Sequence, residues 1–149
     1  MTLSMTTLAV TVEEADIYAE LRNWREWMLE IDDDVKSAAL RRSQDYIATT
    51  YNERWRTVWP NSAAPQEVKF AIIEGAKREL ATPGYLSPDV NIATARKRVR
   101  VDGAVEVEYA VGAGKLTAEN MRPDVAIIDA LLKPFIKQGS GVTVDMLRF

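Results

Sequence analysis

The chain contains no cysteine and no histidine among its 149 residues. Without thiols it can form no disulfide and can supply no thiolate, and zinc sites built from Cys and His are excluded with them. The lack of histidine also removes the side chain that most often acts as a general base near neutral pH. We therefore expect no catalytic residue, no metal site and no cofactor, and we expect the protein not to be an enzyme.

The chain also lacks a basic excess and long apolar runs. The 19 Lys and Arg residues are outnumbered by 22 Asp and Glu residues, which gives a net charge of −3, whereas a duplex-binding domain usually carries a basic excess. No apolar run approaches the roughly 20 residues of a membrane helix. The opening "MTLSMTTLAV" lacks the basic segment of a signal peptide. We expect a protein with no membrane partner and no attraction of its whole surface for phosphate.

Helical patterns occupy the first half of the chain. Thr11 and Glu14 form a capping-box pattern, and apolar residues then recur at helical spacing, which predicts a first helix over residues 12–28. A second helix is predicted from a cap at Asp32, Asp33 or Asp34 to a point before Pro60, because a proline restricts the residue before it. The expected buried stripes are Ile17, Leu21, Trp24 and Met28 in the first helix, and Leu40, Ser43, Ile47 and Tyr51 in the second, with Ala39 and Tyr46 beside them.

Two further helices are predicted by their proline starts. Pro65 suits the first position of a third helix that ends at "TPG", and Pro123 suits the first turn of a fourth. Pro134 should kink or end the fourth helix because it removes a backbone hydrogen bond. The expected buried stripes are Val68, Ile72, Ala76 and Leu80, with Ile73 adjacent, in the third helix, and Ile128, Leu131, Leu132, Phe135 and Ile136 in the fourth.

The segment "ATARKRVRVDGAVEVEYAVGAG" changes the period from 3.6 to 2, and Asp102-Gly103 is typical of a hairpin turn. A three-residue loop pairs Val99 with Val105, and it also sets Arg98 against Glu106 and Arg96 against Glu108. The basic run, which also includes Lys97 and Arg100, could touch phosphate. We favour a solvated ribbon of paired charges, which could also meet a neighbouring subunit.

The predicted fold class is therefore mainly α. It is a four-helix bundle-like core with a β-hairpin, at about 95–111, inserted between helices 3 and 4, and with extended N- and C-terminal arms. We expect a flexible arm over residues 1–10, a helical domain over 11–138, and a flexible joint with a C-terminal tail over 139–149.

The aromatic stretch "YNERWRTVWP" spaces Tyr51, Trp55 and Trp59 four residues apart. These rings could form a platform on which nucleic-acid bases stack. They could equally fill the core, since each ring buries about 150–250 Å². We favour the core interpretation, and likewise favour helix capping over metal binding for Asp32, Asp33 and Asp34.

The tail "VTVDMLRF" follows a Gly-Ser-Gly joint and carries apolar residues that cannot fold alone. Two interpretations stay open: the tail packs on its own helices, or it adds to another chain. Its best anchors are Val142, Val144, Met146, Leu147 and Phe149.

The order of these motifs resembles the small head–tail connector, or adaptor, proteins of tailed bacteriophages. The resemblance rests on "TVEEADIYAELRNW", "KSAALRRSQDYIATTYNERW", "VWP", "PQEVKFAIIEGAKREL" and "LLKPFI", and it spans about residues 11–137. Some relatives are labelled as similar to a primosomal single-stranded-DNA-binding protein.

The resemblance implies a structural virion protein in the neck between capsid and tail, present in the host cytoplasm before assembly. Such proteins form a ring, typically twelve-fold, which binds the portal protein, extends the DNA channel and presents a surface to the next neck or tail protein. Genomic DNA would pass through without sequence-specific binding. Partner contacts are expected in the hairpin, the N-terminal arm and the tail, with the individual candidates Arg96, Arg98, Arg100, Glu106, Glu108, Val142, Val144, Met146, Leu147 and Phe149. The alternative is a single-stranded-DNA-binding module that uses Trp55, Trp59 and the basic strand.

Overall fold

The computed structural model describes residues 2–89 and 123–138. The chain divides into two compact units, one made of Met1–Pro83 with Val125–Phe149 and the other of Gly84–Asp124. Helices dominate the described residues, which confirms the mainly α fold class. They are α1 (Val12–Leu21), α2 (Arg25–Leu29), α3 (Asp33–Tyr51), α4 (Gln66–Ala81) and α5 (Ala126–Leu132), with short 3-10 turns at Asn61–Ala63 and Lys133–Phe135. The predicted hairpin and the tail lie outside the described residues.

The first predicted helix is in fact two. Asn23 adopts a left-handed conformation with φ of 53°, its N–H donates to Glu20 O, and the Trp24 N–H donates to Ala19 O at 3.0 Å. This pair of bonds is the Schellman motif that ends helices, and asparagine is the usual substitute for glycine at its left-handed position. The prediction of one continuous helix over 12–28 was therefore wrong, because Asn23 ends it.

The break also changes which residues are buried. Ile17 and Leu21, predicted to face the core, are 61% and 79% exposed, and Met28 is about half exposed. The buried residues of these two helices are instead Ala15, Tyr18, Ala19 and Trp27. The turn at Asn23 redirects α2 so that Trp27 is buried and its indole N–H donates to Asp16 Oδ1 at 2.9 Å. The burial pattern predicted for one continuous helix was therefore wrong, because it did not include the change of direction at Asn23.

The two long helices, α3 and α4, agree with their sequence patterns. Asp32 caps α3 by accepting from the Asp34 N–H at 2.9 Å, and α4 ends at Ala81. The Ser43 hydroxyl donates to Ile72 O at 2.6 Å in the contact between the two helices. The predicted stripes are buried in both, except that Tyr46 in α3 and Leu80 in α4 are only partly buried. Pro65 occupies the cap position rather than the first helical one, since its ψ of 149° is extended.

Residues 2–10 lie against the helices and do not form the loose arm that their composition suggested. Leu3 and Val10 are almost fully buried. The Gln44 amide donates to Ser4 O at 2.6 Å and to Thr7 O at 2.8 Å. Side chains of α3 thus satisfy the backbone of a segment without secondary structure, which allows that segment to be buried.

The last described helix, α5, ends where Pro134 was expected to stop it. It closes at Leu132 and continues only as the 3-10 turn Lys133–Phe135. Ile128 and Leu132 are fully or almost fully buried, whereas Leu131, Phe135 and Ile136 are only partly buried. Pro123 lies before the helix rather than in its first turn, because α5 begins at Ala126.

Candidate functional site

The aromatic residues Tyr51, Trp55 and Trp59 form a continuous cluster. Their ring centroids are 6.0 Å apart between Tyr51 and Trp55, and 5.2 Å apart between Trp55 and Trp59. Because α3 ends at Tyr51, the rings come together through the turns that follow the helix and not along one helical face. Tyr51 and Trp55 are only 5% and 4% exposed, and Trp59 is partly exposed. The core interpretation is therefore confirmed for the first two rings.

A short antiparallel pairing covers the cluster. The Arg56 N–H donates to Phe135 O and the Lys137 N–H donates to Arg54 O, both at 2.8 Å. These bonds flank a bridge between Trp55 and Ile136. Backbone hydrogen bonds thus join the segment that carries Trp55 to a segment about eighty residues later in the sequence.

The polar atoms of Tyr51 and Trp55 have partners inside the protein. The Trp55 indole N–H donates to Asn52 Oδ1 at 3.0 Å, and the same oxygen accepts from the Leu3 N–H at 2.9 Å. The Tyr51 hydroxyl donates to Asp129 Oδ1 at 2.7 Å. A ring whose polar atom is satisfied internally has little to gain from a nucleotide.

The Tyr51 hydroxyl is held in its neutral form. Burial raises its pKa above the ordinary value, and the hydrogen bond to the Asp129 carboxylate raises it further. Tyr18 is similar: burial and the hydrogen bond to Glu74 raise its pKa to about 12. Both phenols therefore serve as hydrogen-bond donors at neutral pH.

Beside the aromatic cluster lies a cavity of about 500 Å³ with a cationic rim, here called the basic pocket. It is lined by Tyr51, Arg54, Asp129, Lys133, Ile136, Lys137 and Gln138. The backbones of Arg54 and Lys137 pair with each other, and the Arg54 guanidinium lies 5.3 Å from the centre of the Tyr51 ring. Within the described part of the chain, no ion pair includes Arg54, Lys133 or Lys137. The side chains of Arg54, Lys133 and Lys137 could therefore bind an anionic group from another molecule.

A second cavity, of about 410 Å³, lies where α2 and α4 end, and is here called the acidic groove. It is lined by Glu26, Leu29, Glu30, Leu80 and Ala81. Leu29 is 76% exposed, and Ile31 beyond it is 92% exposed. One Glu30 oxygen accepts from the Asp32 N–H at 2.9 Å. The groove combines two carboxylates with uncovered apolar surface.

No group of three or more potential metal ligands occurs among residues 2–89 and 123–138. Over the same residues, no helix is long and apolar enough to cross a bilayer.

The partner-binding residues expected from the sequence all fall outside the described residues. These are the hairpin charges Arg96, Arg98, Arg100, Glu106 and Glu108, and the tail residues Val142, Val144, Met146, Leu147 and Phe149. The structure draws attention to two sites that sequence patterns missed. Arg54 and Lys137 are 83 positions apart, so no local pattern links them, whereas exposed Leu29 and Ile31 could have been noticed as apolar residues just before the Asp32 cap.

Comparison with known families gives a match over much of the chain. Residues 52–149, about two thirds of the chain, match the model of a family described as "Putative DnaT-like ssDNA binding protein". The matched segment begins after Tyr51 and contains Trp55, Trp59 and the cations of the basic pocket. No curated protein and no solved structure matches the chain.

Proposed function

The chain belongs to the DnaT-like ssDNA binding protein family, and from that premise we propose that it is a structural protein of a tailed-phage virion. In this proposal it is a head–tail connector subunit that forms a ring on the portal, lengthens the DNA channel and receives the next neck or tail protein. Its place is the virion neck, and it performs no catalysis. Family membership indicates DNA as a partner, which for a connector is the genome passing through the ring.

The observation that carries the proposal is the apolar surface left uncovered at the ends of α1 and α2 and just after α2. Leu21 and Leu29 are each more than three quarters exposed, and Ile31 almost wholly so. Burying a large aliphatic side chain gains about 1.5–3 kcal/mol, so an assembly that covered these residues would be stabilised by their burial. A subunit that works only inside an assembly has a reason to keep such residues.

The burial of the aromatic cluster supports the same proposal. A stacking platform needs rings that are open to bases, yet Tyr51 and Trp55 are buried and their polar atoms bind within the protein. The rings instead stabilise the junction between α3 and the segment after α5. A net charge of −3 also suits a channel through which DNA must slide.

The experiment that tests the proposal is reconstitution with the portal protein. Purified chain and portal should co-elute in size-exclusion chromatography, and electron microscopy should show an added ring on the portal. A matched variant, Leu21→Asp, should keep its circular dichroism spectrum and fail to add the ring. A chain that never associates with any portal and is absent from purified particles would refute the proposal.

Single-stranded-DNA binding is the second candidate, and the family description together with the basic pocket favours it. Here phosphates would contact Arg54, Lys133 and Lys137, while bases could reach only the partly exposed Trp59. Fluorescence anisotropy with a labelled oligonucleotide would then show binding that weakens as salt rises. Replacing Lys133 and Lys137 with glutamine should reduce both the affinity and its salt dependence. The connector proposal predicts no such binding at micromolar concentration.

A further inference from the structure

The two cavities lie near opposite ends of the same helix. Glu30 in the acidic groove precedes α3, and Tyr51 in the basic pocket ends it. A helix of 19 residues is about 28 Å long. One protomer therefore carries an anionic, apolar groove at one end and a cationic pocket at the other.

The two cavities are complementary in charge and in apolar character. The groove has two carboxylates and no lining cation, while the pocket has three cations and the single carboxylate of Asp129. That carboxylate already accepts the Tyr51 hydroxyl. Each cavity also has an apolar residue, Leu29 in the groove and Ile136 in the pocket. Opposite charges around a small apolar contact are typical of protein interfaces.

We propose that the acidic groove of one copy binds the basic pocket of the next, so that the chain self-associates head to tail. Glu26 and Glu30 of one protomer meet Arg54, Lys133 and Lys137 of its neighbour, and Leu29 is covered. Because the two surfaces differ, the contact is heterologous, which generates a ring when the rotation between copies closes. This inference rests on the proposed connector function and names the surfaces that would build its ring.

A second copy of the chain would contact both the acidic groove and the basic pocket, whereas a nucleic acid would contact only the basic pocket. DNA would satisfy the basic pocket but would leave Leu29 exposed beside two carboxylates, and those carboxylates would repel phosphate. A second copy satisfies both cavities with one kind of contact.

The test is a charge exchange in the full chain, with sedimentation velocity as the measurement at low ionic strength. The variants E26K/E30K and K133E/K137E should each self-associate about ten-fold or more weakly than the original chain, because like charges then meet at the contact. An equal mixture of the two should associate again, since the altered groove of one fits the altered pocket of the other. The control E20K/E67K carries the same change in net charge as E26K/E30K, on exposed carboxylates that line neither cavity, and it should associate normally.

Zero-length carbodiimide cross-linking gives an independent measurement. Peptides that join Glu26 or Glu30 to Lys133 or Lys137 should appear, and they should come from two molecules because the cavities lie at opposite ends of α3. The neutral variant K133Q/K137Q should lose these cross-links. Its melting temperature should remain close to that of the original chain, since both lysines are exposed.

Three results would overturn the inference: an original chain that stays monomeric at every attainable concentration, reversals that leave association unchanged, or a mixture that fails to recover. Loss of oligonucleotide binding by K133E/K137E with association intact would likewise assign the pocket to DNA. The connector function fails separately. If both charge-reversal variants still form rings on the portal, only this contact is refuted. If the chain self-associates in a charge-dependent way but does not bind the portal, only the connector role is refuted.

Discussion

Trp55 shows how one side chain can join three distant parts of the chain. Its ring packs between Tyr51 and Trp59, its indole N–H binds Asn52, and its backbone pairs with Ile136. Asn52 in turn holds the backbone of Leu3. The aromatic spacing in the sequence therefore marks a structural junction.

Replacing Trp55 with alanine should lower the free energy of unfolding by about 3–5 kcal/mol, because the removed ring leaves a cavity in a packed cluster. Urea denaturation followed by circular dichroism measures this loss. Val58→Ala is the control: Val58 is 82% exposed, so its replacement should change stability by no more than about 0.5 kcal/mol. A Trp55→Ala variant as stable as the control would show that the ring is not part of the core.

Tyr51→Phe should alter how stability depends on pH. The pKa of Tyr51 is raised in the folded protein above the value of about 10 that an unfolded tyrosine has. The folded state then holds the proton more tightly, so this contribution is complete below a pH of about 10 and is lost as the pH rises beyond it.

At neutral pH the same variant should lose about 1 kcal/mol, the net value of one hydrogen bond, and its alkaline unfolding should become shallower. Thermal melts in a pH series test this, with Tyr85→Phe as the control for an exposed ring. An unchanged alkaline limb would contradict the role of the hydrogen bond to Asp129.

At the scale of elements, short irregular segments decide how the helices are placed. The turn at Asn23 separates α1 from α2, and the segment of residues 2–10 packs beside α3 through Gln44 and Asn52. Neither segment has the periodicity that makes a helix easy to predict. Local backbone hydrogen bonds to Glu20 and Ala19 fix the turn at Asn23, whereas residues 2–10 are held by side chains that only the fold brings close.

Asn23→Ala should destabilise the protein by about 1–2 kcal/mol, since a left-handed residue with a Cβ and no local hydrogen-bonding side chain is strained. Asn23→Gly should be at least as stable as the original, because glycine adopts positive φ freely. Chemical denaturation of the pair measures the difference. Equal stability of the two variants would contradict the Schellman turn.

Gln44→Ala should release the N-terminal segment. The Gln44 side chain binds Ser4 O, Thr7 O and the Ala9 N–H, and leaving such partly buried groups unpaired costs about 1–3 kcal/mol. Amide hydrogen exchange should rise across residues 3–10 more than in α4. Arg41→Ala, which removes one exposed bond to Thr6 O, is the control and should raise exchange only slightly.

At the scale of the molecule, the described residues carry an uneven distribution of charge and apolar surface although the net charge of the chain is small. The basic pocket gathers three cations, while the acidic groove pairs two carboxylates with Leu29. A molecule with two different and complementary surfaces can associate head to tail, because one surface of each copy binds the other surface of the next. This asymmetry arises only when segments far apart in sequence meet.

Leu29→Ser should weaken self-association while leaving folding intact. Leu29 is mostly exposed in the single chain, so the change in unfolding free energy should stay within about 0.5 kcal/mol. Loss of its burial at the contact should reduce association several-fold. Val58→Ser, an equally exposed apolar residue that lines neither cavity, is the control, and sedimentation at matched concentrations compares the two.

The sequence by itself determined the helices whose signals are local. Thr11 with Glu14, the Asp32 cap and the period of α3 and α4 each act within a few residues. Local patterns therefore placed the starts of α1 and α3 and most of the buried residues of α3 and α4, but not the end of α3 at Tyr51. Pro134 likewise ended α5, because proline removes a backbone donor wherever it stands. The size of the rings favoured burial of Tyr51 and Trp55, but the same argument applied to Trp59, which is partly exposed.

Only the tertiary structure decided the rest. Which face of α1 is buried depended on the direction that α2 takes after Asn23. The conformation of residues 2–10 depended on hydrogen bonds from side chains of α3. The basic pocket needed Arg54 and Lys137 to meet across a backbone pairing. These features depend on contacts between segments distant in sequence, and such contacts leave no period in the sequence because their geometry is set by how the helices pack.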